Sequence, residues 1–505
     1  MWVNRTRTDI KAIGHYTGVL VAGIGLLMLL PMVVAVFLGE WAVTLDYLCG
    51  VTIAVGAGRL LMLSAPAGTR LSHSNALIVT GIAWLAASLA AAVPLALSGN
   101  YGSFLDALFD ALSGLTTSGL TLVQDLDHMS LAHNMWRHLT HLIGGQGIVV
   151  AALSFAIGLR GGAVSLYQAE GRDERIMPNV MHGARFIWFV TAVWVTLGTI
   201  ALSTLNIVRG MTVVRGGLHA FFATVATFDT GGFGPMSQNA LYYHSPVFEF
   251  ITLLLMLAGT LNFNLHADIW RGDRGELMSN IEARTLAINM GLLSLAVALG
   301  LSATKLFGSS WEVVRKGVYH IVSANSGTGH QTLYASQWAT DVGGLAFAAV
   351  VLAMAFGGMA SSTAGGIKAL RVGVIVKGVI QKVRQSLAPP SAVIRTKYHH
   401  LTEQTLTDEL VSGALLVFVL YVVTYISGGL IGAAYGYPMA SALFESVSAT
   451  ANVGLSTGIT SPMMPTGLKI VYMLQMWAGR LEFITLFAVI ASAGLAFRNK
   501  KVRAL

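Results

Sequence analysis

Stretches of roughly 20 or more apolar residues recur along this whole sequence, and no other feature narrows its possible folds so far. Each can cross a hydrocarbon core of about 30 Å as a helix, which satisfies its own backbone N–H and C=O groups. Hydropathy and helix breakers together place membrane helices near 14–38, 42–64, 75–98, 138–158, 184–206, 246–266, 286–306, 341–375, 409–433 and 468–496. The composition agrees, with 54% of the 505 residues hydrophobic and only 11% charged, against about 25% charged in an ordinary soluble domain. A soluble multidomain enzyme is excluded. The 56 glycines beside 11 prolines suit close helix packing and re-entrant loops. One cysteine, Cys49, allows no internal disulfide and no cysteine-based metal or haem site. The expected fold class is an all-α, polytopic membrane protein with about ten transmembrane helices.

The first apolar stretch is expected to be a true span, because it lacks a cleavage site after a short apolar region. Lysine and arginine set the orientation. Roughly 23 of them flank one side, from Arg5, Arg7 and Lys11 through Arg160, Arg172 and Arg175 to Arg498, Lys500, Lys501 and Arg503, against about 7 on the other. The crowded side, with both termini, is expected to be cytoplasmic. The net charge of +8 is then mostly this topological signal and requires no nucleic acid. The basic stretch 366–408 offers a place for anionic membrane lipid or an acidic cytosolic subunit, beside the simpler topological role.

Between successive spans lie four shorter segments, near 104–118, 216–231, 314–328 and 440–453, too short to cross. Aligned on one glycine they read FDALSGLTTSGLT, FATVATFDTGGFG, YHIVSANSGTGHQ and FESVSATANVGLS. Ten residues before the glycine stands an aromatic: Phe109, Phe222, Tyr319 or Phe444. Seven before stands Leu112, Val225, Val322 or Val447, and six before a small residue, Ser113, Ala226, Ser323 or Ser448. Four units in register predict a pseudo-fourfold arrangement of half-helices that enter the membrane from outside and return. Each helix ends in a turn: Thr117, Ser118 and Gly119; Thr230, Gly231 and Gly232; Gly327, Thr328 and Gly329; Asn452, Val453 and Gly454. Glycine and small residues let carbonyl oxygens face a common axis, where a ring of them can replace the hydration shell of a potassium ion. Helix C-termini pointing the same way add partial negative charge. The rival reading is a set of interfacial turns with glycine for close approach.

In these residues the chain resembles the Trk/Ktr/HKT superfamily of potassium transporters, and specifically its TrkH type. Further motifs match in order: WRHLTHLIGGQGI, LNFNLH, GGMASSTAGGIK and GRLEF. The resemblance implies four M1–P–M2 pore repeats around a pseudo-fourfold axis after two extra N-terminal helices. Their expected extents are 1–68 for the extra helices and 69–160, 183–270, 284–385 and 405–497 for the repeats. It further implies uptake of potassium across the bacterial inner membrane, a homodimer with a pore in each protomer, and regulation by a cytosolic nucleotide-binding ring of the TrkA or KtrA kind. Potassium is then the transported ion at the filter residues, and nothing is bound covalently. In this family a glycine in the first filter segment goes with potassium over sodium permeation, and Gly119 satisfies that. Asp229 and His330 depart from the family pattern at positions that bear on fine selectivity. His330 has the chemistry either to titrate near neutral pH or to hydrogen-bond a neighbouring turn.

The run from Gly357 and Gly358 through Ser361, Ser362, Thr363, Gly365 and Gly366 to Lys368 interrupts an otherwise helical stretch. It lacks the GxxxxGK[ST] pattern of a phosphate loop. The resemblance makes it an intramembrane gate beneath the filter. Arg480, expected inside the last span, is costly there and therefore a functional candidate; the resemblance makes it an electrostatic barrier near the pore. His133, His138 and His141 lack a convincing carboxylate partner for a metal site. No nucleophile–base constellation is present, so no covalent catalysis is expected. The alternatives are a sodium-permeable or H+- or Na+-coupled symporter of the same superfamily, and a polytopic carrier or enzyme with structural re-entrant loops.

Overall fold

The computed structural model describes residues 7–66, 69–154, 162–170, 180–304, 306–389, 391–392, 394–483 and 485–492. Of the residues used to orient the chain, Arg5, Arg160, Arg172, Arg175, Arg498, Lys500, Lys501 and Arg503 lie outside that set. The described chain is mostly helical. In order come α1 (Arg7–Leu27), α2 (Leu29–Leu38), α3 (Trp41–Met62), α4 (His73–Leu97), α5 (Phe104–Leu115), α6 (Leu131–Gln146), α7 (Ile148–Ser154), α8 (Ala163–Ala169), α9 (Val180–Val208), α10 (Val213–Phe228) and α11 (Pro246–Thr260). Then follow α12 (Phe263–Arg271), α13 (Gly275–Ser279), α14 (Ile281–Thr304), α15 (Ser310–Ser326), α16 (Ala335–Thr340), α17 (Gly344–Ala355) and α18 (Ala369–Leu387). A hairpin of β1 (Lys397–His400) and β2 (Thr402–Thr405) precedes α19 (Asp408–Ala434), α20 (Met439–Thr450) and α21 (Thr466–Arg480).

Six helices among the described residues are long and apolar enough to cross a membrane, or up to eight if two bent pairs each count as one span. The chain is a multi-pass membrane protein. The stretches expected at 138–158, 246–266, 341–375 and 468–496 are not continuous helices, and each break has a local cause. Gly147, at φ 90°, ends α6. Leu261 is extended, Asn262 caps the next helix, and α11 and α12 meet at 102°. The glycine- and serine-rich run separates α17 from α18. Beyond α21 the left-handed Glu482 and Phe483 turn the chain by 116° into Thr485–Ser492. Arg480 is therefore the last residue of a helix, not an interior one as hydropathy suggested.

The four short segments are helices α5, α10, α15 and α20. Side chains at their entrances explain where three of them start: Ser103, Thr212 and Ser309 accept from the backbone N–H groups of Asp106, Arg215 and Glu312. α20 begins directly after Pro438.

Two compact units make up the chain, one of Met1–Thr116, Thr121–Ala192 and Arg480–Leu505, the other of Thr117–Leu120 and Val193–Gly479. In the first, α1 packs on α3 and α4, and α5 is held between α4 and α6. Its core includes a buried ion pair, Arg137 Nε to Asp110 Oδ2 at 2.9 Å, to which the Tyr101 hydroxyl also donates at 2.8 Å. In the second, α10 packs on α11, α11 on α15, α14 on α15, α17 and α18, and α19 on α18 and α20. The hairpin runs in register from Lys397 opposite Thr405 to His400 opposite Thr402. Tyr398 and Leu406 bury against Ile281, Val374 and Ala414.

Candidate functional site

All four glycine turns lie in the second unit, because Thr117–Leu120 belongs to it. Their backbones follow one pattern. The C-cap residues Thr116, Asp229 and Ala451 have φ near −80° (−78°, −80° and −82°), while at the matching position Ser326 is still within α15. The next residue is left-handed in every turn: Thr117 (φ 55°), Thr230 (φ 51°), Gly327 (φ 77°) and Asn452 (φ 56°). Ser118, Gly231, Thr328 and Val453 return to negative φ. Gly119, Gly232, Gly329 and Gly454 are left-handed again, at 75°, 76°, 77° and 94°. In a strand, successive carbonyls point to opposite sides. The alternation of negative and positive φ departs from that strand pattern in all four turns.

The glycines meet in a closed cycle. A Cβ added to Gly119 would strike the Gly231 carbonyl oxygen, one on Gly232 that of Thr328, one on Gly329 that of Val453, and one on Gly454 that of Ser118. Each would lie under 3.0 Å from that oxygen, a spacing real Cβ atoms essentially never show. The carbonyls of Ser118, Gly231, Thr328 and Val453 thus stand as a ring of four, each against the glycine of a neighbouring segment. A side chain tightens the ring, since the Asn452 amide donates to Ser118 Oγ at 2.7 Å and to the Met476 carbonyl at 3.0 Å.

The predicted gate residues lie against the helix-to-turn junctions of three segments. Thr363 Oγ1 is 3.0 Å from the Phe228 carbonyl, 2.8 Å from that of Gly259 and 3.2 Å from Thr230 Oγ1. A Cβ on Gly365 would strike the Ala451 carbonyl, and one on Gly327 would reach Gly365 N at 3.2 Å. Gly357 donates to the Ile367 carbonyl at 2.9 Å, which with the Phe356–Ile367 bridge pins the two ends of the loop together. Gly358 accepts from Ala369 N at 2.9 Å, and Ser362 Oγ donates to the Met359 carbonyl at 2.6 Å. Ser361 is left-handed (φ 51°), Gly366 likewise (φ 71°), and Lys368 Nζ donates to the Ala364 carbonyl. The carboxylate of Glu282, which hydropathy alone passes over, takes the Ala360 N–H at 2.7 Å.

Three further residues were missed by sequence reasoning. Gly144, Gly259 and Gly479 bring their helices directly onto the carbonyls of Leu115, Phe228 and Thr450, the last turns of α5, α10 and α20. The available signal was glycine near the end of each of these second helices, in LIGGQG, LAGT and WAGR.

In the first unit the Arg480 guanidinium donates to the Gly144 carbonyl and lies 5.6 Å from the centre of the Trp84 ring. That carbonyl belongs to the last turn of α6, where it also accepts from Gly147 N at 3.1 Å, and a helix C-terminus favours a cation. Asp229 is buried at the end of α10. The His330 ring is held on both sides, with Nε2 2.9 Å from Thr227 Oγ1 and Nδ1 2.7 Å from Asn239 Oδ1. Asn239 Nδ2 in turn donates to the Gly232 carbonyl at 2.8 Å. His133 contacts Asp46 and Tyr47, and His138 the Asn134 carbonyl; no group of three metal-ligating side chains occurs among the described residues.

The family model described as "TrkH: Cation transport protein" matches residues 48–494. An uncharacterized cation transporter of Methanocaldococcus jannaschii is 28% identical over 96% of each chain. The Trk system potassium uptake protein TrkH of Halomonas elongata is 27% identical, covering 96% of this chain and 99% of its own. TrkG of Escherichia coli, another Trk system potassium uptake protein, is 26% identical over 97% of this chain and 99% of its own. The fold is that of the crystal structure of the potassium transporter TrkH from Vibrio parahaemolyticus, with a TM-score of 0.80 and 22% identity over 95% of this chain and 98% of that one. The matched proteins are named as transporters and not as enzymes, and with a family match over most of its length this chain belongs to the TrkH family of cation transport proteins.

Proposed function

We propose that this protein takes up potassium ions across the cytoplasmic membrane through a channel-like pore. Its selectivity filter consists of Thr117, Ser118 and Gly119, Thr230 to Gly232, Gly327 to Gly329, and Asn452 to Gly454. One observation carries the reading: the closed cycle in which each filter glycine abuts the carbonyl oxygen of its neighbour's preceding residue. Four carbonyls at one level, backed by helix C-termini, suit a dehydrated monovalent cation. The run from Gly357 to Lys368 gates the inner end of the filter, a reading supported by its contacts with Thr230, Gly327 and Ala451. Arg480 places fixed positive charge at the helix end it caps and acts as a barrier to cations. The protein works as a homodimer with a cytosolic nucleotide-binding ring of the TrkA or KtrA kind, as the Trk system names of its relatives suggest. Its termini lie in the cytoplasm.

The test is rubidium-86 uptake in cells that lack endogenous potassium uptake, with the ring co-expressed. Wild type should show uptake that potassium competes away. Gly119→Ser and Gly232→Ser should lose uptake or gain sodium leak while reaching the membrane in normal amount. Equal uptake by all three forms would sink the filter assignment.

A further inference from the structure

A second regularity lies nine residues before and three residues after each filter glycine. Nine before stand Asp110, Ala223, His320 and Glu445; three after stand Leu122, Pro235, Thr332 and Thr457. In the first, third and fourth repeats these positions are joined by one hydrogen bond. Leu122 N donates to Asp110 Oδ1 at 3.2 Å, Thr332 N to His320 Nε2 at 3.1 Å, and Thr457 N to Glu445 Oε1 at 2.8 Å. All three acceptors are buried, at 1%, 1% and 0% exposure. In the second repeat the acceptor is absent because position 223 is alanine, and so is the donor, because Pro235 has no N–H. Acceptor and donor are kept together or lost together. That is what a buried N–H demands, since one left without a partner costs its full desolvation.

We propose that Asp110, His320 and Glu445 are positioning residues for ion selection, each fastening the outer strand of its filter segment to the pore helix behind it. This rests on the filter reading above. The third clamp is the most exacting. His320 Nδ1 lies 2.7 Å from the Lys316 carbonyl, which can only accept, so the ring proton sits on Nδ1 and Nε2 is left as a bare acceptor aimed at Thr332. The T-shaped contact with Trp338, 4.9 Å between ring centres, holds the imidazole plane. The fourth clamp is the densest, because Glu445 also takes the hydroxyls of Ser456 at 2.6 Å and Thr460 at 2.6 Å. A filter discriminates between ions only if its oxygens hold their spacing. A strand fixed three residues past the glycine cannot drift outward.

The experiment compares His320→Leu, which removes the acceptor at similar volume, with His320→Gln, which keeps an oxygen there. Each is also made in a Thr332→Pro background, which copies the alanine–proline solution of the second repeat. The readout is sodium inhibition of rubidium-86 uptake, at matched protein in the membrane. His320→Leu should raise sodium inhibition roughly five-fold or more, the scale set by stranding one buried N–H, and His320→Gln should stay near wild type. In the Thr332→Pro background the same two substitutions should differ little, because no N–H remains to be stranded. Gly232→Ser is run alongside. If it changes selectivity while His320→Leu does not, the clamp is overturned and the filter stands. If Gly232→Ser changes nothing, the filter reading itself fails. A His320→Leu effect that persists undiminished in the Thr332→Pro background also overturns the clamp. Should His320→Leu not reach the membrane, Glu445→Leu against Glu445→Gln, with and without Thr457→Pro, decides by the same criterion.

Discussion

A left-handed glycine whose missing Cβ would strike a carbonyl tolerates no side chain, for two separate reasons. The backbone conformation itself costs an L-residue about 1–2 kcal/mol, and the collision then forces the neighbouring strand to move. Gly232 meets both conditions, whereas Gly99 (φ 74°) meets only the first, having nothing within 4 Å of its Cβ position. Gly99→Ala should therefore lower thermal stability in detergent by about 1 kcal/mol and leave rubidium uptake intact, whereas Gly232→Ala should abolish uptake. The buried pair of Arg137 and Asp110 makes another residue-scale prediction. Arg137→Met leaves a carboxylate without its cation and should cost about 3–5 kcal/mol, read as a fall in melting temperature far larger than that of the exposed Arg271→Met. The glycines of this site were legible because few other residues accept such backbone angles. The left-handed Thr117 and Thr230 were not, since a β-branched residue seldom adopts positive φ, whereas Asn452 is of a type that does so more readily.

At the scale of elements, the loop between α17 and α18 is held both by side-chain and backbone hydrogen bonds and by the buried Met359, which packs with Leu265, Leu286 and Ala369. Thr363→Val keeps the shape but removes the hydroxyl that reaches the Phe228 and Gly259 carbonyls. It should raise rubidium leak in the absence of the ring, measured as basal uptake. The β1–β2 hairpin depends on pH through His399 and Glu276, which lie 2.6 Å apart. The hydrogen bond to Glu276 raises the His399 imidazole above its ordinary value of 6.5. Burial alone would lift Glu276, but the bonds from His399 and Asn280 outweigh it and hold the carboxyl below its ordinary 4.5. The stabilisation from His399 is thus complete below pH 6.5 and fades as pH rises through its raised value; that from Glu276 is complete above pH 4.5 and fades as pH falls through its lowered one. Backbone exchange across residues 397–405, corrected for intrinsic rates, should be slowest between those limits and should quicken toward alkaline pH; a flat profile, or one slowest at alkaline pH, would count against the pair. Three of the broken second helices were invisible to hydropathy for a related reason, while the run from Gly357 to Lys368 marked the break in the other. A window average registers apolarity, which continues through the break, and not the single glycine or asparagine that bends the chain.

For the whole molecule, the asymmetry of lysine and arginine makes a topology that is open to direct test. Cys49 is the single cysteine, so a Cys49→Ser background accepts a reporter at any chosen place. A membrane-impermeant maleimide applied to intact cells should label Met463→Cys, which replaces a side chain 90% exposed, and should label Thr402→Cys only after the membrane is opened. The reverse pattern would overturn the orientation. By itself the sequence determined that the chain is a helical membrane protein, that four half-helical units recur in register, and where each glycine turn falls. It could do so because burial in lipid, helix length and glycine's conformational freedom are properties of local sequence, independent of what lies across the fold. Only the tertiary structure decided that the four turns close into one cycle, that the loop from Gly357 to Lys368 touches three of them, that Arg480 ends a helix and reaches the last turn of another, and that His320 and Glu445 accept from backbone N–H groups twelve residues downstream. Those facts depend on backbone carbonyls and N–H groups meeting between segments, and every residue except proline carries the same pair of these groups, so the letters of the sequence rarely distinguish one from another.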